Sequence, residues 1–175
     1  MRKLSLVLIC VSLLLTAACS VQEKMNAAIF FERLSKNNPV LDFENSEQFI
    51  ADGKYCCFVT DVNGTEFAFE ITLNNAGDAE KAAVSCSIAK IPQGLISCVE
   101  SVIKTYSPDD NANEVLSAFF ENGKVKTGNS YHETLWRKYS CYATESDFFF
   151  SVTNKKLVGE SKAVLSLKPN DRVDF

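Results

Sequence analysis

Residues 54–73 read KYCCFVTDVNGTEFAFEITL, and this stretch sets the fold class. In its second half Phe67, Phe69, Ile71 and Leu73 alternate with Ala68, Glu70 and Thr72. A repeat of two residues places every apolar side chain on one side of a pleated strand. Val62-Asn63-Gly64 stands between this run and the preceding KYCCFVTD, and Asn-Gly is a tight-turn signal. The segment therefore predicts an antiparallel hairpin with one buried face.

Beyond this hairpin, NNAGD at 74–78 supplies a second turn, and Val84, Cys86 and Ile88 alternate again, which predicts a third strand and a three-strand meander. The period then changes. Leu95, Val99, Val102, Ile103 and Tyr106 recur at helical spacing. Ser107-Pro108-Asp109-Asp110 has the form of a helix start, with a capping hydroxyl, a proline at the first position and acids against the positive helix end. Ala112, Val115, Leu116 and Phe119 would face the core from that helix, and Asn122-Gly123 would end it. Strands at about 134–143 and 147–153 form a C-terminal hairpin around Thr144-Glu145-Ser146, and SKAVLSLKP (161–169) could add an edge strand. Upstream, Lys24 to Lys36 carries Met25, Ala28, Ile29, Phe31 and Leu34 near one side of a helix, ended by Asn37-Asn38-Pro39. The expected fold is α+β, a mostly antiparallel sheet (three-strand meander plus C-terminal hairpin) with helices packed on one face.

The first 18 residues have a different character. Arg2 and Lys3 precede an apolar run from Leu4 to Leu15 broken only by Ser5 and Ser12, which is the pattern of a secretory signal. Even counted on to Cys19 the run reaches 16 residues, short of the roughly 20 that a spanning helix requires. LLTAAC (14–19) resembles the lipobox of bacterial lipoproteins, with Thr16 at the position where that family most often has Leu. The resemblance implies that Cys19 receives a diacylglyceryl group on its sulfur and becomes the first mature residue, and that the chain is held at the cell membrane or outer membrane on the exported side. An ordinary signal peptidase could use the same bond, with Ala18 and Thr16 as its small residues, leaving Cys19 a plain thiol. The expected organisation is a signal peptide over 1–18 and a single exported domain over 19–175 with a short N-terminal tether.

Removing Arg2 and Lys3 leaves 16 basic residues against 22 acidic ones, a mature charge of about −6. That balance argues against a nucleic-acid partner and against charge-driven binding to anionic lipid. No GxGxxG or P-loop is present, and the seven glycines scatter into turns. Asp61-Val62-Asn63-Gly64 lacks the distant Glu of a calcium loop.

Six cysteines follow Cys10: Cys19, Cys56, Cys57, Cys86, Cys98 and Cys141. Without a CxxC they predict neither a zinc site nor a redox motif. In an oxidising compartment the expected bridges are Cys86 with Cys98, and Cys56 or Cys57 with Cys141. His132 is the only histidine, so a thiol-dependent hydrolase using a free Cys with His132 is the alternative to a non-catalytic module. Thirteen Phe, five Tyr and one Trp are more aromatic surface than one sheet face requires. DFFFSV (147–152) puts Phe149 opposite Phe148 and Phe150, and with Trp136 and Tyr142 it marks a candidate apolar groove for a peptide, lipid or partner domain. The expected function is lipid-anchored binding or scaffolding in the cell envelope, with no cofactor, no catalytic set and an envelope protein or peptide as partner.

Overall fold

The computed structural model describes residues 25–61, 64–87 and 94–157. The hairpin forms from β2 (Lys54–Thr60) and β3 (Glu66–Leu73), in register from Lys54 opposite Thr72 to Thr60 opposite Glu66. Asp61 closes it: its backbone N–H donates to the Thr65 carbonyl, and Thr65 N–H donates to Asp61 Oδ1, both at 2.9 Å. Cys57, Val59, Phe67, Phe69 and Ile71 are buried, as the period of two requires.

A further strand, β1 (Glu47–Ala51), precedes the hairpin and pairs with β2. Its turn is Asp52-Gly53, both with positive φ (51° and 74°), the geometry that fits the twist of a two-residue hairpin. After β3, the Asn74 side chain accepts from the backbone of Ala76 and of Asp78, each at 2.9 Å, and turns the chain into β4 (Ala79–Ser87).

The chain then leaves the sheet for two helices, and returns as β7 (Gly128–Glu133), β8 (Arg137–Ala143) and β9 (Asp147–Asn154). The seven strands lie in the order β1-β2-β3-β4-β9-β8-β7, every pair antiparallel. The protein is thus α+β with a mostly antiparallel sheet. Each of the two expected strand sets carries an added edge strand, and both additions are poor in alternation. GNSYHE (128–133) has one large apolar residue, and in EQFIA (47–51) the apolar pair is adjacent. The expected strand beginning at Thr134 starts at Arg137, because Thr134 turns the chain: its N–H donates to the Arg137 carbonyl at 3.0 Å and its hydroxyl accepts from Arg137 N–H at 3.2 Å.

Three helices complete the described fold. α1 (Ala27–Asn37) starts after Asn26, whose Oδ1 accepts from Ile29 N–H at 2.9 Å, and it buries Ala27, Phe30, Phe31 and Leu34. This stripe keeps Phe31 and Leu34 of the one read from sequence and has Ala27 and Phe30 in place of Ala28 and Ile29. α2 (Leu95–Tyr106) follows its predicted spacing. α3 (Ala112–Phe119) begins four residues later than Ser107-Pro108 suggested. Asn111 is its cap, accepting from Asn113 and Glu114 N–H at 3.1 and 3.4 Å, while Ser107 ends α2. Replacing Asn111 by Ala should lower the urea-unfolding free energy by about 1 kcal/mol. Replacing Ser107 should not act through a cap. Asn122-Gly123 serves as the turn of a two-stranded ribbon, β5 (Phe120–Glu121) with β6 (Lys124–Val125), with φ of 51° and 76°.

The core is one cluster that joins the buried rows of the sheet to the helices. Phe150 stands at its middle, with Phe119 edge-on at 5.5 Å and Tyr139 stacked at 6.2 Å between centroids. Tyr106 is buried, and its hydroxyl donates to the Ala79 carbonyl at 2.7 Å. Tyr106→Phe leaves that carbonyl without its donor and should cost about 1–3 kcal/mol in chemical denaturation, with the secondary structure unchanged.

Candidate binding surface

Register across the sheet sorts its side chains into two sides. One side carries the row Gln48, Cys57, Phe69, Val84, Phe150, Cys141, Ser130, which runs through the core cluster. The other carries Glu47, Phe58, Ala68, Ser85, Phe149, Tyr142, Asn129, and beside it Phe49, Cys56, Glu70, Ala83, Ser151, Ser140, Tyr131. Small residues occupy the middle strands of this second side and aromatic rings both flanks. Phe49 and Phe58 lie 5.5 Å apart on one flank. Phe149, Tyr142 and Tyr131 form the other, with Tyr142 40 % and Tyr131 64 % exposed.

A third row on the same side reads Ala51, Lys54, Thr72, Lys81, Thr153, Lys138, Glu133. Lys81 lies 5.2 Å from the Phe149 ring centroid and Lys138 5.3 Å from that of Tyr131, so cations border the rings. Burial lowers the Lys81 pKa, with Glu70 pulling the other way. The Lys54 ammonium pairs with the Glu70 carboxylate at 3.1 Å. Such a surface, apolar rings beside charged heads of both signs over a floor of small side chains, suits an extended chain.

The sequence named Phe149 and Tyr142 on this side and missed Phe49, Phe58 and Tyr131. Their signal was the register itself, and register follows from strand order, which no single strand encodes. Trp136 lies apart from the face, in the turn between β7 and β8.

No known protein family, curated protein or solved structure matches this chain.

The thiols follow the same map. Cys57 and Cys141 share a row but lie on β2 and β8 with three strands between them. That separation is about 19 Å at ordinary strand spacing. A disulfide joins Cα atoms about 4.4–6.8 Å apart, so the expected bridge from Cys57 to Cys141 does not fit this strand order. Cys56 lies on the opposite side of the sheet and fits no better. Cys86, opposite Phe148, packs against the core cluster that includes Cys98 of α2. All five described cysteines are free thiols in the structure.

His132 is half-buried on β7 opposite Tyr139, its ring centroid 6.1 Å away. The thiol diagonal to it in register is Cys141, a placement that puts the Cβ atoms about 7–8 Å apart. Burial pushes the Cys141 thiol up to about 12, and likewise raises Cys56, Cys57, Cys86 and Cys98. A thiolate nucleophile needs the opposite environment. Among the described residues no group of three or more His, Cys, Asp or Glu is placed to hold a metal ion.

The buried thiol has a measurable consequence at alkaline pH. Below pH 9.0 the Cys141 thiol is protonated in both folded and unfolded chains and gives no pH dependence. From 9.0 to about 12 the unfolded chain loses this proton and the folded chain keeps it, so stability falls as pH rises. The slope is about 1.4 kcal/mol per pH unit. Cys141→Val should remove that share of the alkaline loss while leaving pH 7 stability nearly unchanged, as read from urea unfolding at stepped pH.

Proposed function

We propose that this chain is a lipid-anchored bacterial cell-envelope protein whose folded domain binds or scaffolds an envelope protein or peptide without catalysis. The lipobox-like LLTAAC supports the anchor, with Cys19 as the acylated residue at the cell or outer membrane. The observation that carries the binding part is the aromatic-flanked second side of the sheet. In this reading the three described helices cover only the core side, and the rings of Phe149, Tyr131 and Tyr142 are presented to a partner. The raised thiol pKa values support a non-catalytic role.

Photo-crosslinking from position 142 in the native envelope tests the surface. The expected product is one discrete adduct that disappears when Phe149→Glu is introduced on the same protein. Adducts unaffected by Phe149→Glu would overturn the assignment of this face. We also propose the bridge from Cys86 to Cys98, which staples β4 to α2 in an oxidising compartment. Titration of the unfolded, unreduced mature product should then count three free thiols, Cys56, Cys57 and Cys141. Five would show that Cys86 and Cys98 stay reduced.

A further inference from the structure

The turn between β7 and β8 presents Leu135, 75 % exposed, and Trp136, 47 % exposed, side by side at one end of the sheet. Two adjacent large apolar side chains at a hairpin tip oppose the usual composition of turns. Cations surround them. Lys156 Nζ lies 3.5 Å from the Trp136 ring centroid. Lys155 N–H donates to the Trp136 carbonyl at 3.0 Å, and its ammonium pairs with Glu133 at 3.0 Å. Tryptophan with lysine heads beside it is the chemistry of a membrane–water interface, where the ring tolerates both acyl chain and headgroup and the ammonium meets phosphate.

The chain's entry point lies at the same end. The Met25 carbonyl accepts from Ala79 N–H at 2.6 Å, and Met25, Ala79, Arg137, Asn154 and Leu157 border one cleft of about 260 Å³. Ala79 on β4 is two strand spacings from β8, about 10 Å. Cys19 stands six residues ahead of Met25 in the sequence, a tether that spans at most about 20 Å. A lipid on Cys19 therefore brings this end of the sheet within reach of the leaflet that holds it.

We propose that the Leu135-Trp136 tip docks into the lipid leaflet beside the anchor, so that the domain is oriented on the membrane as well as tethered to it. This rests on acylation of Cys19. Orientation of this kind turns the strand edges and the aromatic side of the sheet sideways along the surface, where a membrane-bound partner meets them.

Trp136 is the only tryptophan, so its fluorescence reports the tip directly. The natural product is purified and reconstituted into phosphatidylcholine vesicles containing phosphatidylglycerol. Its emission is compared with that of the Cys19→Ser form in buffer, and brominated acyl chains and iodide are used as quenchers from either phase. The expected result is a blue shift, quenching by brominated lipid and protection from iodide. Leu135→Asp, an exposed change that leaves the core untouched, should weaken the docked state about tenfold or more and restore access to iodide. A Trp136 that stays iodide-accessible and unquenched by bromine overturns the docking. So does a blue shift without bromine quenching, which would place a protein partner on the tip. The mass of the same preparation separates the two claims. If Cys19 is acylated and the tip is not quenched, only the docking fails. If Cys19 is not acylated, the anchor fails, and the docking that rests on it fails with it.

Discussion

Phe150→Ala should lower the free energy of unfolding by about 3–5 kcal/mol, the range for removing a buried aromatic ring. The residue is fully buried on β9, flanked in register by Val84 on β4 and Cys141 on β8. Its ring is the shared partner of Phe119 from α3 and Tyr139 from β8. The loss therefore includes transfer of the ring, the cavity left behind and two aromatic contacts of about 0.5–1.5 kcal/mol each. Neither neighbour can collapse into the space freely. Tyr139 is held by its hydroxyl, which donates to Asp110 Oδ2 at 2.6 Å, and Phe119 is the last residue of α3. Against a typical total of about 5–15 kcal/mol, such a loss leaves the domain near its folding threshold. Phe149→Ala, one residue along on the other side of the sheet, is the control. It should cost far less, because that ring is only half-buried. Equal losses from the two variants in urea unfolding would mean that the assignment of sides is wrong.

Much of this arrangement was legible in the residues, for a physical reason. Phe67, Phe69 and Ile71 announce β3 because the pleat converts a local period of two into a buried face, with no knowledge of neighbours required. The spacing from Leu95 to Tyr106 announces α2 in the same way. What local pattern does not contain is which strand lies beside which. The pairing of β4 with β9 bridges more than sixty residues of chain, and the Cys57 to Cys141 expectation failed on that point alone. Edge strands were illegible for another reason. With one neighbour and little burial, GNSYHE needs no alternating pattern, so it shows none. The start of α3 went astray because Ser107-Pro108 and Asn111 both carry helix-start chemistry, and the hydroxyl of Ser107 is already engaged by Arg137 Nε at 3.1 Å. On the candidate surface, Phe149 and Tyr142 could be named from their own strands, whereas their alignment with Phe58 and Tyr131 awaited the register.

The second large effect concerns location. Cys19→Ser should move the protein from the membrane fraction to the soluble fraction of the exported compartment, with its fold and stability intact. Each methylene contributes about 0.8 kcal/mol on burial in a bilayer, so that one myristoyl chain binds only marginally and two or more long chains hold a protein almost permanently. The hydroxyl of serine cannot form the thioether. Nothing else described replaces the lost anchor: among the described residues no helix is long and apolar enough to cross a membrane, and the net negative charge gives no general attraction to anionic lipid. The Leu135-Trp136 tip adds one small apolar contact, worth far less than two acyl chains. A Cys19→Ser product cut before residue 19 that still partitions wholly with membranes would show that the anchor lies elsewhere. Detergent phase separation of the two proteins, followed by detection in each phase, makes the comparison.

Intact mass of the protein isolated from its native envelope reads the covalent state of the Cys19 sulfur, on which the anchor depends. The predicted mass is that of a chain beginning at Cys19 and carrying a diacylglyceryl group, with or without a further acyl chain on the new amino terminus. A mass equal to the bare chain from Cys19, or to a chain retaining residues 1–18, would contradict it.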